Sequence, residues 1–266
     1  MSVISRILHT LRPDAPVSYS NLDEQEIVTR LLARLGVRAG FCVDIGASDG
    51  LTMSNSRALF EAGWSGLAVE YDPAKFAALA RASAGLPNVS LAKCKVTPEN
   101  VLPLLQAHST PERFDFLTLD IDGYDYFVLE SILSRYRPSL VVAEVNEKIP
   151  PPLKFTVKYD PDYRWNEDHF YGMSVSKLYE LCSERDYSLV ELHYNNAFLI
   201  PSELTDGESL TDVTAYERGY LLKPDRKEKF HWNAPAEPIL ALPPQEALEM
   251  AREWFKGYEG KFELSL

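Results

Sequence analysis

Three clusters of acids and glycines stand out as residues that could do chemistry. The segment Asp44-Ile45-Gly46-Ala47-Ser48-Asp49-Gly50 follows a short apolar run and precedes an amphipathic stretch. Gly46 and Gly50 permit a tight turn and close backbone approach, and Asp44 can accept hydrogen bonds from an ammonium group. A zwitterionic amino-acid tail suits such a loop better than a pyrophosphate, because a loop of the G-x-G-x-x-G kind has no acid at its start and the third glycine is missing. The bland alternative is a plain glycine turn between strand and helix. Glu70 closes GLAVE, twenty residues beyond Gly50. An acid at roughly that spacing can accept both hydroxyls of a ribose, whereas its alternative is a charged strand end in water. Val96 and Thr97, after the third apolar run, are placed to flank a flat base, as any small apolar pair there would be.

The third cluster lies in FLTLDIDGYDY. Asp120 and Asp122, on alternate positions at a strand end, point the same way, and Glu144 and Asn146 repeat the arrangement one strand later. Oxygen donors from neighbouring strand ends suit a hard cation such as Mg²⁺, which would hold a hydroxyl and lower its pKa. Without a metal, Asp120 orders an amino-acid tail and Asp122 caps the next helix. Beyond these acids, residues 146–170 carry Lys148, Lys154 and Lys158, then Arg164 and Trp165. Cations among aromatics fit an acidic, phosphorylated or glycosidic substrate; a solvated loop balancing its own acids explains them equally.

Positioning these clusters requires an alternating fold. Short apolar runs (FCVDI, GLAVE, VSLAK, FDFLTLD, SLVVAEV) alternate with amphipathic stretches, giving five strands and four helices in βαβ order. Right-handed crossovers then set all five carboxyl ends along one edge, where Asp44, Glu70, Asp120 and Glu144 meet. YSLVELHYNNAFLI reads as a hairpin turning at Tyr194 to Asn196 that closes the sheet with an antiparallel strand. Four prolines make residues 146–169 a long loop or insertion. The expected fold is a doubly wound, Rossmann-like α/β sheet, mostly parallel. A helical lead-in (1–36) precedes the core (37–200, with the insertion 146–170), and a C-terminal appendage (201–266) follows as a lid or oligomer contact.

A net charge of −12 argues against nucleic acid or an anionic membrane surface as the main partner. No run reaches the roughly 20 apolar residues a membrane span needs. Three widely spaced cysteines in apolar settings read as reduced thiols, and the opening residues lack a secretory pattern, so the expected compartment is the cytoplasm.

SYSNLDEQEIV, DIGASDGLTMSNS, GWSGLAVEYDP, FLTLDIDGYDYFVLESIL, RPSLVVAEVN and NNAFLI, taken in order, resemble the FkbM-type branch of the class I S-adenosylmethionine-dependent methyltransferases, over roughly Tyr19 to Ile200. The resemblance implies S-adenosylmethionine as cofactor and O-methylation of sugars or other small metabolites. It also places the cofactor against Ser20, Glu24, the loop with Asp44, Gly46, Ser48 and Gly50, then Glu70 and Asp120; Asn55 and Val96 complete the expected cofactor contacts. The sequence departs from the family pattern at Asn21, at Ser48-Asp49 and at Asp122, where Glu is frequent.

Methyl transfer from a sulfonium to a hydroxyl is an in-line displacement that needs alignment and a base. His169, in the insertion, and Asp122 are the candidate bases, with an exposed loop histidine the alternative for the former. The leading expectation is an O-methyltransferase acting on a sugar-like or other hydroxylated small molecule. Methylation at an amine and a catalytically silent cofactor-binding module are the competing readings, and a homo-oligomer through the outer helices is left open.

Overall fold

The structure is a computed structural model and describes residues 17–266. The start of the predicted lead-in, residues 1–16, lies outside the described residues. Helix α1 (Glu24–Arg34) follows, with Ile27, Val28, Leu31 and Leu32 buried, so one face of it packs on the core.

Strands β1 (Phe41–Ile45), β2 (Ser65–Glu70), β3 (Val89–Lys93), β4 (Phe116–Leu119) and β5 (Leu140–Glu144) are separated by α2 (Arg57–Glu61), α3 (Pro73–Ala82), α4 (Val101–Ala107) and α5 (Asp125–Leu133). Later elements are β6 (Lys154–Val157), α6 (Val175–Glu184), β7 (Tyr187–His193) and β8 (Asn196–Pro201). One seven-stranded sheet runs β3-β2-β1-β4-β5-β8-β7. Pairings among β1 to β5 are parallel, while β8 is antiparallel to both β5 and β7. This is the doubly wound, mostly parallel sheet, closed by an antiparallel hairpin, that the sequence reading predicts. Burial on both faces explains why β4 and β5 read as mostly apolar runs without alternation. One core holds Val43, Leu67, Leu117, Val141 and Leu178; the opposite face packs Leu31, Phe60, Phe116 and Phe198.

Two elements differ from the sequence reading. Residues 146–169 are not wholly loop: Lys154–Val157 forms β6, antiparallel to β9 (Phe262–Ser265) at the C-terminus. The partner lies over a hundred residues away, so no local pattern announced it, and the flanking prolines disguised it. The appendage adds α7 (Asp212–Tyr216), α8 (Arg226–Lys229), a 3-10 stretch (His231–Ala241) and α9 (Pro244–Trp254). Insertion and appendage share a third core in which Ile149, Phe155, Phe170, Ile239 and Phe255 are buried, with Phe155 and Phe255 stacked at 5.0 Å. They are therefore one packed unit beside the sheet.

No helix among the described residues is long and apolar enough to cross a membrane. Cys42 and Cys182 are buried and Cys94 is half-buried, all three as free thiols.

Candidate functional site

The glycine loop joins β1 to α2 under tight backbone constraint. The amides of Gly46 and Ala47 both donate to Val69 O at 3.0 Å, which ties the loop to the end of β2. Gly46 has φ +93°, and a Cβ there would lie 1.7 Å from the Asp120 carbonyl oxygen, so only glycine fits. Gly50 has φ +75° and a Cβ there would meet the side chain of Leu79 at 2.5 Å. Ser48, at φ 50°, turns its amide to Glu70 Oε2 at 2.9 Å, and Asp72 donates its amide to Glu70 Oε1 at 2.7 Å. Glu70 is thus pinned by backbone donors from both sides of the loop, and each oxygen keeps lone-pair capacity for a further donor.

Asp44 is buried at the end of β1 and accepts a hydrogen bond from Ser56 Oγ at 2.5 Å. Burial pushes its carboxyl up to about 6; the Ser56 hydrogen bond opposes the shift and the Glu70 charge adds to it. Glu24, at the start of α1, is buried too, accepts from Asn196 Nδ2 at 2.7 Å and is raised to about 7, again by burial first. The Asn55 side chain touches the same carboxyl, and Asn55 Oδ1 is a buried acceptor without a partner. Ser20 Oγ accepts the Gln25 amide at 2.7 Å and so anchors the lip to the first turn of α1.

At the ends of β4 and β5, Asp120, Asp122 and Glu144 each place a carboxylate oxygen within 4.8 Å of the others. Asp120 retains accessible surface yet is surrounded by protein, as a side chain on a cleft floor is. Desolvation raises its carboxyl well above the usual range; the Asp122 and Asp125 charges push the same way, against a hydrogen bond from Glu144. Glu144 is raised for the same reasons, and Asp122, half-buried, is pushed to about 6. Among the described residues no ion pair reaches Glu24, Asp44, Glu70, Asp120, Asp122 or Glu144.

Several predicted residues sit elsewhere or do other work. Asn146 is withdrawn from the carboxylate group: its Nδ2 donates to the carbonyls of His169 and Tyr171 at 2.9 and 3.0 Å, and its Oδ1 faces the Lys148 amide. Lys148 is no substrate-facing cation. It is buried, bonded to Glu147 at 3.1 Å and to the Tyr171 hydroxyl at 2.6 Å. Lys154 pairs with Glu180 at 2.8 Å, whereas Lys158, Arg164 and Trp165 are exposed on the insertion, Trp165 donating Nε1 to Asp168 O. The His169 ring rests on Trp254 of α9, 5.0 Å between centroids, and burial lowers its pKa with Lys148 adding to the effect. The Val96 side chain joins the core, and its carbonyl accepts the Tyr124 hydroxyl at 2.9 Å.

Residues the sequence reading passed over carry much of the geometry. Asp125 is fully buried and accepts the amides of Ile121 and Gly123, both at 2.8 Å, so it shapes the turn that presents Asp122 at φ 54°. An acid at the first turn of a helix was the available signal. Asn195, in the hairpin turn, donates to Glu144 Oε1 at 2.9 Å. Glu147 is held by Tyr171 and by Asn233 of the appendage, and its carbonyl accepts the Tyr216 hydroxyl. The insertion also packs against the turn that carries Asp122. A Cβ on Gly123 would meet the Tyr163 ring at 2.8 Å, and Lys95 Nζ donates to the Tyr163 carbonyl at 3.0 Å. A groove of about 490 Å³ between Glu249, Arg252, Lys256 and Phe262 belongs to the appendage and contains none of these acids.

Residues 95–162 match the family model of the methyltransferase FkbM domain. The FkbM match covers about a quarter of the chain, from the end of β3 through Asp120, Asp122 and Glu144 into the insertion. It stops short of the glycine loop and Glu70, which rest on the sequence resemblance and on the geometry above. A search of curated proteins by sequence gives no match. Among solved structures, the N-terminal domain of EvdMO1 in the presence of SAH and D-fucose is similar at 12% identity and a TM-score of 0.45, over 74% of this chain and 94% of that one. The O-methyltransferase TomG from Streptomyces achromogenes, in complex with SAM, is similar at 18% identity and a TM-score of 0.44, over 73% and 83%. A SAM dependent methyltransferase from Aquifex aeolicus is similar at 14% identity and a TM-score of 0.41, over 68% and 94%.

Proposed function

We propose that the protein is an S-adenosylmethionine-dependent methyltransferase that methylates a hydroxyl of a sugar-like or other small hydroxylated acceptor. The observation that carries this reading is the buried, unpaired acid set around the glycine loop. Asp44 and Glu24 are raised by burial and Glu70 is pinned by two amides, with no ion pair from the described residues. Buried carboxylates without a counter-charge favour a cationic ligand, because attraction to the ligand offsets their desolvation. S-adenosylmethionine brings an ammonium and a sulfonium, ribose hydroxyls for Glu70, and a methyl group already activated for displacement. Asn55 Oδ1, buried and unpartnered, suits a ligand donor at the Glu24 side.

The chain's own contribution to the reaction is alignment, exclusion of water and removal of a proton. The insertion packs on Gly123, next to Asp122, through Tyr163. The acceptor hydroxyl would lie against the carboxylates at the ends of β4 and β5, with Asp122, the half-buried one, in reach of its proton. His169 has its ring on Trp254 and stands on the insertion side, with Lys158, Arg164 and Trp165 as the exposed groups that an acceptor would meet on entry.

Titration calorimetry with S-adenosylmethionine tests the reading. Micromolar binding, on the order of 8 kcal/mol, is expected for the wild-type protein and loss of at least tenfold for Asp44→Ala and Glu70→Ala. No binding by the wild-type protein would remove the cofactor and the reaction with it.

A further inference from the structure

The antiparallel strand β8 reaches the ligand edge of the sheet only with its first residues. It runs opposite to β5, and the register sets Asn196 beside Glu144, the last residue of β5. The amino end of β8 therefore lies where the parallel strands have their carboxyl ends. Backbone contacts fix that end: the Val145 amide donates to Asn195 O at 2.7 Å, and the Tyr194 amide to Gly219 O at 2.9 Å. From this anchored position Asn196, itself buried, donates Nδ2 to Glu24 Oε1 at 2.7 Å and so joins two residues 172 apart in the chain.

Glu24 is 1% exposed, and no lysine or arginine among the described residues pairs with it. Burial favours its neutral form and raises its carboxyl to about 7, whereas the side chains of Asn196 and Asn55 favour the charged form. An amide is a neutral donor: it orients a carboxylate and favours its ionised state without cancelling the charge, as a lysine or arginine would. The charge stays available to a cationic ligand, and the unpartnered Asn55 Oδ1 beside it is a second acceptor for that ligand's donors. We propose that Asn196 is a positioning residue for the cofactor, holding the Glu24 carboxylate as an oriented counter-charge to the cationic methionine portion of S-adenosylmethionine. The inference rests on the methyltransferase reading. It gives β8 a part in cofactor affinity, whereas a mere tie between α1 and the sheet would act on stability alone.

Titration calorimetry of the full-length protein with three ligands separates the two roles. S-adenosylmethionine and S-adenosylhomocysteine both carry the amino-acid ammonium, whereas 5′-methylthioadenosine keeps the nucleoside and the sulfur but has no charge. Asn196→Ala and Asn196→Ser both lack the reaching amide. Each is expected to weaken the two charged ligands about tenfold, the scale of one hydrogen bond to a charged group, and to leave methylthioadenosine within about twofold. Glu24→Gln keeps an oxygen for Asn196 and removes only the charge, so it should show the same pattern. Adding Asn196→Ala to it should then cost no more than about twofold further, because the amide acts through the carboxylate. Thermal unfolding without ligand checks that each variant is folded. Equal losses for all three ligands, unchanged S-adenosylmethionine affinity in the Asn196 variants or in Glu24→Gln, or fully additive losses in the double variant overturn the proposal and leave cofactor binding standing. A wild-type protein that binds none of the three ligands removes the methyltransferase reading and this inference with it.

Discussion

The proposed cofactor side and the proposed acceptor side of this edge are built in opposite ways. On the cofactor side, Asp44, Gly46, Ser48, Gly50 and Glu70 lie within one βαβ unit, and their geometry comes from backbone hydrogen bonds a few residues apart or across one strand pair. On the proposed acceptor side, Glu147, bonded to Lys148 and Tyr171, is held by Asn233 and Tyr216 from more than forty residues beyond Tyr171, and Asn233 also donates to the Tyr220 hydroxyl. A buried polar network joins the two ends of that unit, and the small core of Phe155, Phe170 and Phe255 backs it. The difference teaches that the first half is a local motif that any chain can carry intact, whereas the second exists only if the C-terminal segment docks.

Breaking the acceptor side should cost most. Glu147→Ala leaves Lys148 buried with only Tyr171 as partner, and is expected to destabilise the protein by about 3 to 5 kcal/mol. Glu147→Met with Lys148→Met should recover much of that loss, because the charge goes with its partner. Chemical denaturation of the three proteins decides it; equal losses in the single and double variants would mean that the pair is not what holds the unit. On the cofactor side, Gly46→Ala forces a Cβ into the Asp120 carbonyl at φ +93° and is expected to cost about 3 kcal/mol, roughly 10 °C in Tm, along with cofactor binding. Thermal unfolding with and without S-adenosylmethionine reads both effects.

The smallest expected effect sharpens the electrostatics. Asp44 has a folded pKa of about 6, above its ordinary carboxylate value, because it is buried. A raised acid binds its proton more tightly when folded, so the stability it lends is full below the unfolded pKa and is lost as pH rises through about 6. The free protein should lose stability over that window while affinity for the sulfonium ligand rises, roughly tenfold between pH 5 and pH 7 for one such group. Calorimetry across this range should show a shallower slope in Asp44→Asn than in the wild type; parallel slopes would assign the titration to another group.

Much of this protein could be read from its residues in order. Alternating apolar runs specify β1 to β5 and their helices, since burial on both faces demands continuous hydrophobic strands, and the Tyr194-Asn195 turn specifies the antiparallel close. The tight turn at Gly46 and Gly50, with Asp44 and Glu70 at the neighbouring strand ends, was legible because such a strand-to-helix turn needs glycine at fixed short spacings. What the tertiary structure alone decided lies where distant segments meet. Lys148, read as a free cation, became half of a buried pair because Glu147, Tyr171 and Asn233 enclose it. Asn146, read beside the carboxylates, instead ties down the insertion. β6 found its partner at the far end of the chain. Periodicity and spacing report the environment of neighbours along the chain; which buried charge is paired, and with what, depends on contacts that close loops of many residues, and sequence order carries no signal for those.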